Sequence, residues 1–102
     1  MQKMQILKYL ADIKNELMDS GIEKIGLFGS FATNKANDFS DIDIAIKINK
    51  NYLNEHDVWE YFNLIENIKH GLLKKFSRKV DVFDLDSNAD IKNKILKEVI
   101  YV

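Results

Sequence analysis

Two aspartates one residue apart are the first sign of chemistry in this chain. Asp41 and Asp43 flank Ile42 in the run Ser40-Asp41-Ile42-Asp43-Ile44-Ala45-Ile46. Asp is depleted in strands, so two in one strand ask for a reason. The period of a strand puts both carboxylates on one face, with roughly 7 Å between their α-carbons. Like charges so close repel each other, and a shared cation or a raised pKa relieves them. Mg²⁺ suits such a pair, since it takes oxygen ligands and keeps positions open for substrate phosphates. On alternation alone, the same acids are equally the solvated face of an edge strand. Upstream, Leu27-Phe28-Gly29-Ser30-Phe31-Ala32 reads as a strand ending in Gly-Ser. Glycine lets the backbone approach a ligand closely, and Ser30 adds a hydroxyl. A helical turn from residue 31 would aim free N–H groups at the same spot and favour phosphate. Alone, a Gly-Ser dipeptide is usually a turn. Here Asp41 follows Ser30 after ten intervening residues. A second strand returning beside the first would set a phosphate cradle next to a metal pair.

The elements that must hold these residues can be read from periodicity. Ile6, Leu10, Ile13 and Leu17 mark an amphipathic helix, with Gly21 placed to cap its C-terminus. Ile25-Gly26-Leu27-Phe28 is a short buried strand. Over residues 41–48, Ile42, Ile44, Ile46 and Ile48 alternate with Asp41, Asp43, Ala45 and Lys47, which is a half-buried strand. Asn54 with Asp57 predicts a helix start, and Tyr61, Ile65, Ile68 and Leu72 form its apolar stripe. Trp59, Tyr61 and Phe62 read first as core and second as some exposed apolar surface that could meet a partner, and the sequence does not separate the two. Val80-Asp81-Val82-Phe83 is a third strand, and Ser87-Asn88-Ala89-Asp90 resembles a capping box before a last helix with Ile91, Ile95 and Val99 inward. The order helix, strand, strand, helix, strand, helix gives an α+β fold, a small sheet with helices on one face. Residues 1–102 are expected to form a single domain.

Composition narrows the function classes. Lys and Arg number 15 against 16 Asp and Glu. Non-specific nucleic-acid binding draws on a basic excess, so no direct nucleic-acid partner is expected. The chain has no Cys, which excludes disulfides and thiolate zinc sites. No stretch reads as a signal peptide or a membrane span, so a cytoplasmic location and no membrane partner are expected. Lys74, Lys75, Arg78 and Lys79 form a basic cluster that reads first as a solvated helix end and second as a contact for pyrophosphate or an acidic partner. His56 and His70 lack companions at ligand spacing, which leaves them surface or capping roles.

Gly29-Ser30, ten residues, then Asp41-Ile42-Asp43 resembles the signature of the nucleotidyltransferase superfamily with the DNA polymerase β palm fold. Asp81 in Lys79-Val80-Asp81-Val82-Phe83-Asp84-Leu85 falls where that family has its third carboxylate. The likeness runs to the closing Glu98-Val99-Ile100-Tyr101-Val102, and the length is similar to the minimal nucleotidyltransferases. The resemblance implies a small mixed sheet with helices packed on one face. It implies two Mg²⁺ ions held by Asp41, Asp43 and Asp81, with Gly29 and Ser30 gripping the triphosphate of ATP. Asp81 would also help to deprotonate the attacking hydroxyl. Minimal members commonly act as antitoxins toward a HEPN-domain toxin in a hetero-oligomer, transferring AMP to one of its tyrosines. A variant of that expectation is a nucleotidyltransferase-like antitoxin that neutralises by masking, with little turnover. One departure bears on the choice: the family reads Gly-Ser, a variable residue, Ala, Arg, Gly, whereas Thr33-Asn34 follows Ala32 here. Lys35 is the nearest replacement cation, without the bidentate fork of Arg.

Overall fold

The isoleucine alternation decides where everything else sits. Ile42, Ile44, Ile46 and Ile48 are all 0% exposed. They form the floor on which two amphipathic helices lie, joined there by Ile6, Leu10, Ile68 and Leu72. The computed structural model describes residues 2–87 and 90–102. In chain order its elements are α1 (Gln2–Asp19), β1 (Ile22–Phe28), β2 (Ile42–Ile48), α2 (Lys50–Glu55), α3 (Val58–Phe76), β3 (Val80–Asp84), α4 (Lys92–Glu98) and β4 (Ile100–Tyr101). The four strands lie in the order β3-β2-β1-β4. β1 is antiparallel to β2 and β4, while β2 and β3 are parallel, so the sheet is mixed. β2 is therefore an interior strand, which removes the edge-strand account of its acids.

The expected α+β class is what the structure has, and each expected element is present. Gly21 ends α1 with a left-handed φ of 106°. Asp57 caps α3 by accepting from the Glu60 N–H at 2.9 Å. Tyr61 donates its hydroxyl to Asp84 at 2.7 Å, which ties α3 to the end of β3. The structure adds α2, capped by Asn49, and places Asn54 inside it. It also adds β4, which lies beside β1 at Gly26 and Leu27.

Three expectations need correction. α1 and α3 cover one face of the sheet, but α4 lies against the other, where Ile95 packs with Phe28, Ala45 and Leu85. Those residues point away from the isoleucine floor because side chains alternate along a strand. Ile91, expected inward on α4, is 49% exposed. Asn88 and Ala89 of the expected capping box lie outside the described residues, and the residue at the helix cap, Ile91, makes no side-chain cap bond. On α3, Trp59 and Phe62 are 72% and 52% exposed instead of buried. The inward stripe runs through Tyr61, Ile65, Ile68 and Leu72, and successive residues rotate by about 100°, so positions 59 and 62 fall off it.

Candidate active site

The face opposite the isoleucine floor carries the chemistry. Register places Phe28 of β1 and Asp81 of β3 on either side of Asp43. Adjacent strands lie about 4.8 Å apart, so Asp43 and Asp81 are side by side on one face. The chain leaves β1 at Gly29, whose φ of 76° lies in the left-handed region. A Cβ at Gly29 would collide with the Asp43 carboxylate, so only glycine lets the backbone pass there. Gly29, Ser30, Asp43, Asp81, Lys94 and Glu98 all line one cleft of about 450 Å³.

The turn after Gly29 is a single helical turn. The Thr33 N–H donates to the Gly29 carbonyl at 3.0 Å, and the Lys35 N–H donates to the Ser30 carbonyl at 2.9 Å. Among the described residues the N–H groups of Ser30, Phe31 and Ala32 have no backbone acceptor, which is the arrangement of an anion cradle. Thr33, where the family pattern has Arg, spends its hydroxyl on the Gly29 carbonyl at 3.0 Å. Asn34, where that pattern has Gly, has a φ of 63°. Asn is among the residues that tolerate this region best. The departure thus keeps the shape of the turn and loses a cation. Lys35 is exposed and is not part of the cleft wall.

Arg78 belongs to this loop and not to the basic cluster in which the sequence sets it. Its guanidinium donates to the carbonyls of Asn37, Asp38 and Ser40 at 3.2, 3.4 and 2.9 Å. It also stacks over the Phe31 ring, 5.0 Å from the centroid. This strap fixes the segment that delivers Asp41 to the start of β2. Lys74 and Lys75 occupy the last turn of α3, as a solvated helix end would have them. His56 is half-exposed and closes α2 through the Tyr52 carbonyl, and His70 is exposed.

Asp43 is electrostatically unusual. Burial raises its carboxyl from the ordinary 3.8 to about 6, with Asp81, Asp41 and Glu98 adding repulsion in that order. Asp41 therefore stands near Asp43, although it does not line the cleft that Asp43 and Asp81 share. Crowded carboxylates around a half-buried Asp43, with Asp81 exposed beside it, are hard oxygen donors that gain by sharing a divalent cation. Among the described residues no three His, Asp or Glu side chains converge enough to hold an ion alone. The set is open, and Mg²⁺ accepts that, since it uses one or two carboxylates and completes its shell with water and phosphate oxygens. Asp43 and Asp81 fit it from the cleft, and Asp41 from the entrance to β2. Sequence reasoning did not reach Lys94 and Glu98. Their signal was present: they are four apart on one helix, and an acid in the last turn opposes the helix dipole.

A strand leading to Gly-Ser and a neighbouring strand with paired acids define a nucleotidyltransferase core. The chain belongs to the polymerase beta nucleotidyltransferase family, whose model matches residues 11–102. A protein of Methanocaldococcus jannaschii assigned as a protein adenylyltransferase is 35% identical over 83 residues, covering 79% of this chain and 77% of the relative. The protein adenylyltransferase MntA of Thermococcus cleftensis is 29% identical over 101 residues, covering 96% and 93%. Among solved structures, one assigned as a minimal nucleotidyltransferase superposes with a TM-score of 0.70 at 19% identity, over 98% of this chain and 95% of that one. A toxin–antitoxin structure with AMP-PNP superposes with a TM-score of 0.61 at 22% identity, over 99% and 72%. The chain is a nucleotidyltransferase. Among the described residues no helix is long and apolar enough to cross a membrane.

Proposed function

We propose that this nucleotidyltransferase is a Mg²⁺-dependent protein adenylyltransferase, acting as the antitoxin that transfers AMP from ATP to a tyrosine of a HEPN-domain toxin. The single observation that carries this reading is the placement of Asp43 beside Asp81, with the Gly29 backbone pressed against Asp43. The relatives named as protein adenylyltransferases support the acceptor class. The likeness to a toxin–antitoxin structure holding AMP-PNP supports a toxin as partner and an adenine nucleotide as substrate.

In this reading Gly29, Ser30 and the following N–H groups hold the triphosphate, and Asp43 and Asp81 face its α-phosphate. The tyrosine oxygen attacks the α-phosphorus, the bond to the bridging oxygen breaks, and pyrophosphate leaves. The tyrosine proton, held with a pKa of about 10 in water, passes toward Asp81. Mg²⁺ bound at Asp41, Asp43 and Asp81 would supply charge for the leaving group and lower the pKa of the hydroxyl. The charge of the chain, balanced throughout, is consistent with a metal-held nucleotide and a protein acceptor.

The experiment is incubation with the product of the neighbouring gene, ATP and Mg²⁺, read by intact mass. A gain of one or more AMP units on the partner, absent with Asp41→Asn plus Asp43→Asn, is the expected result. The loss of the family's Arg at Thr33 favours a second reading, neutralisation by masking. Tight association without a mass gain would establish it instead.

A further inference from the structure

The Gly29 N–H is already engaged. It donates to a Glu98 Oε2 at 3.3 Å, across 69 residues of sequence. Glu98 ends α4, whose packing through Ile95 seats the helix beside the cleft. An acid at that end of a helix opposes the dipole, so helix stability does not account for it. Its carboxylate also adds to the repulsion on Asp43, so it sits inside the same electrostatic neighbourhood. A carboxylate oxygen on a backbone N–H at the mouth of a phosphate cradle has the chemistry of a phosphate oxygen. One turn earlier on the same helix, Lys94 is the cation among the residues lining the cleft. Among the described residues Lys94 forms no ion pair.

We infer that Glu98 is a built-in competitor for the nucleotide at the Gly29 amide, and that Lys94 is the cation that meets the triphosphate once Glu98 is displaced. The inference rests on the nucleotidyltransferase reading of this cleft and adds α4 to it as a positioning element. Glu98 lowers nucleotide affinity by holding the donor that a phosphate needs and by adding negative charge. Lys94 supplies the charge that is missing at Thr33. Neither residue is asked to touch the reacting atoms.

The test is the affinity for AMP-PNP with Mg²⁺, measured by calorimetry on the full chain. Glu98→Ala, which removes the acceptor and the charge, should bind about tenfold tighter than wild type, and Glu98→Gln, which keeps a neutral acceptor and drops only the charge, should bind tighter by about threefold. Glu16→Gln, in the last turn of α1, should change nothing. Lys94→Gln should weaken AMP-PNP about fivefold while leaving AMP nearly unaffected, because the lost contact is to the outer phosphates. Circular dichroism confirms that each variant is folded. Equal or weaker binding in both Glu98 variants overturns the competitor role and marks Glu98 as a metal ligand or a structural tie. Unchanged AMP-PNP affinity in Lys94→Gln overturns the role of Lys94. If wild type binds AMP-PNP with neither Mg²⁺ nor partner varied, and only the variants fail to shift, the inference falls alone. If wild type binds no AMP-PNP, the nucleotide reading of the cleft falls with it.

Discussion

At Gly29 the α-carbon faces the Asp43 carboxylate with no space for a methyl group, and the backbone is left-handed. Both facts count against any side chain. Gly29→Ala forces the strained conformation, worth about 1–2 kcal/mol, and pushes Asp43 off its position beside Asp81. The variant should lose stability by about that amount in chemical denaturation and lose nearly all AMP transfer. Asp43 itself yields a prediction with a sign. In the unfolded chain it ionises near 3.8, and in the folded protein near 6. Below the first value both states are protonated, and within the window the folded state alone keeps its proton. Stability contributed by this group is therefore present at low pH and is lost as pH rises through about 6. Asp43→Asn cannot ionise, so in metal-free buffer it should melt above wild type at neutral pH. That gap should close as pH falls from about 6 toward 3.8. Adding Mg²⁺ at neutral pH should raise the melting temperature of wild type and leave Asp43→Asn with Asp81→Asn unmoved. An Asp43→Asn protein that melts below wild type at neutral pH would contradict the repulsion described at this site.

The elements around the site differ in how visible they were. β2 could be read because four isoleucines alternate without interruption, and α1 and α3 because their apolar stripes recur every three or four residues. β4 is only two residues long and carries no period; it is a strand because Gly26 and Leu27 of β1 offer it an edge. α4 was legible as a helix but not in its direction of packing. Its single buried residue, Ile95, cannot say which face of the sheet it meets, and its partner Ala45 sits among the polar positions of β2 in the sequence. The paired acids and Gly29 were legible since their signal is local. Glu98 showed locally only as an acid at an unfavourable helix end, and its bond to Gly29, which joins residues 69 apart, leaves no local pattern. Arg78 was misplaced for the same reason: neighbouring lysines made it part of a cluster, whereas its partners lie about forty residues earlier. The loop it straps carries Asp41 into β2. Arg78→Ala removes three bonds to carbonyls and the stack on Phe31, and should cost about 1–2 kcal/mol. Proteolysis should then cut first within residues 35–40. Arg78→Lys should recover only part of this, because an ammonium loses the planar stack on Phe31 and the separate Nε bond to Gln2, although the three carbonyls are met by a single nitrogen of Arg78.

Across the whole molecule, the sheet separates stability from chemistry by face. Ile42, Ile44, Ile46 and Ile48 point to the α1–α3 side and are fully buried, whereas Asp43 points to the α4 side, and Asp81 is exposed. One strand therefore serves both purposes through its period of two. A substitution on one face should move one property and spare the other. Ile44→Val deletes a single methylene from the floor and should cost about 1 kcal/mol, since the buried site cannot fully collapse around the gap. In a domain of this length that lowers the melting temperature by roughly 4–8 °C. The rate of AMP transfer at a temperature where the variant is folded should stay within about twofold of wild type, because Asp43 and Asp81 keep their register. Asp43→Asn with Asp81→Asn should do the reverse, abolishing transfer while the metal-free protein melts no lower than wild type. That second variant also separates transfer from association. It keeps the α1–α3 face and the exposed Trp59 and Phe62 intact, so any complex with the partner that depends on shape should still form on size-exclusion chromatography. Parallel loss of transfer and melting temperature in both variants would show that the two faces are coupled, and would remove the basis for reading the acids as chemistry alone.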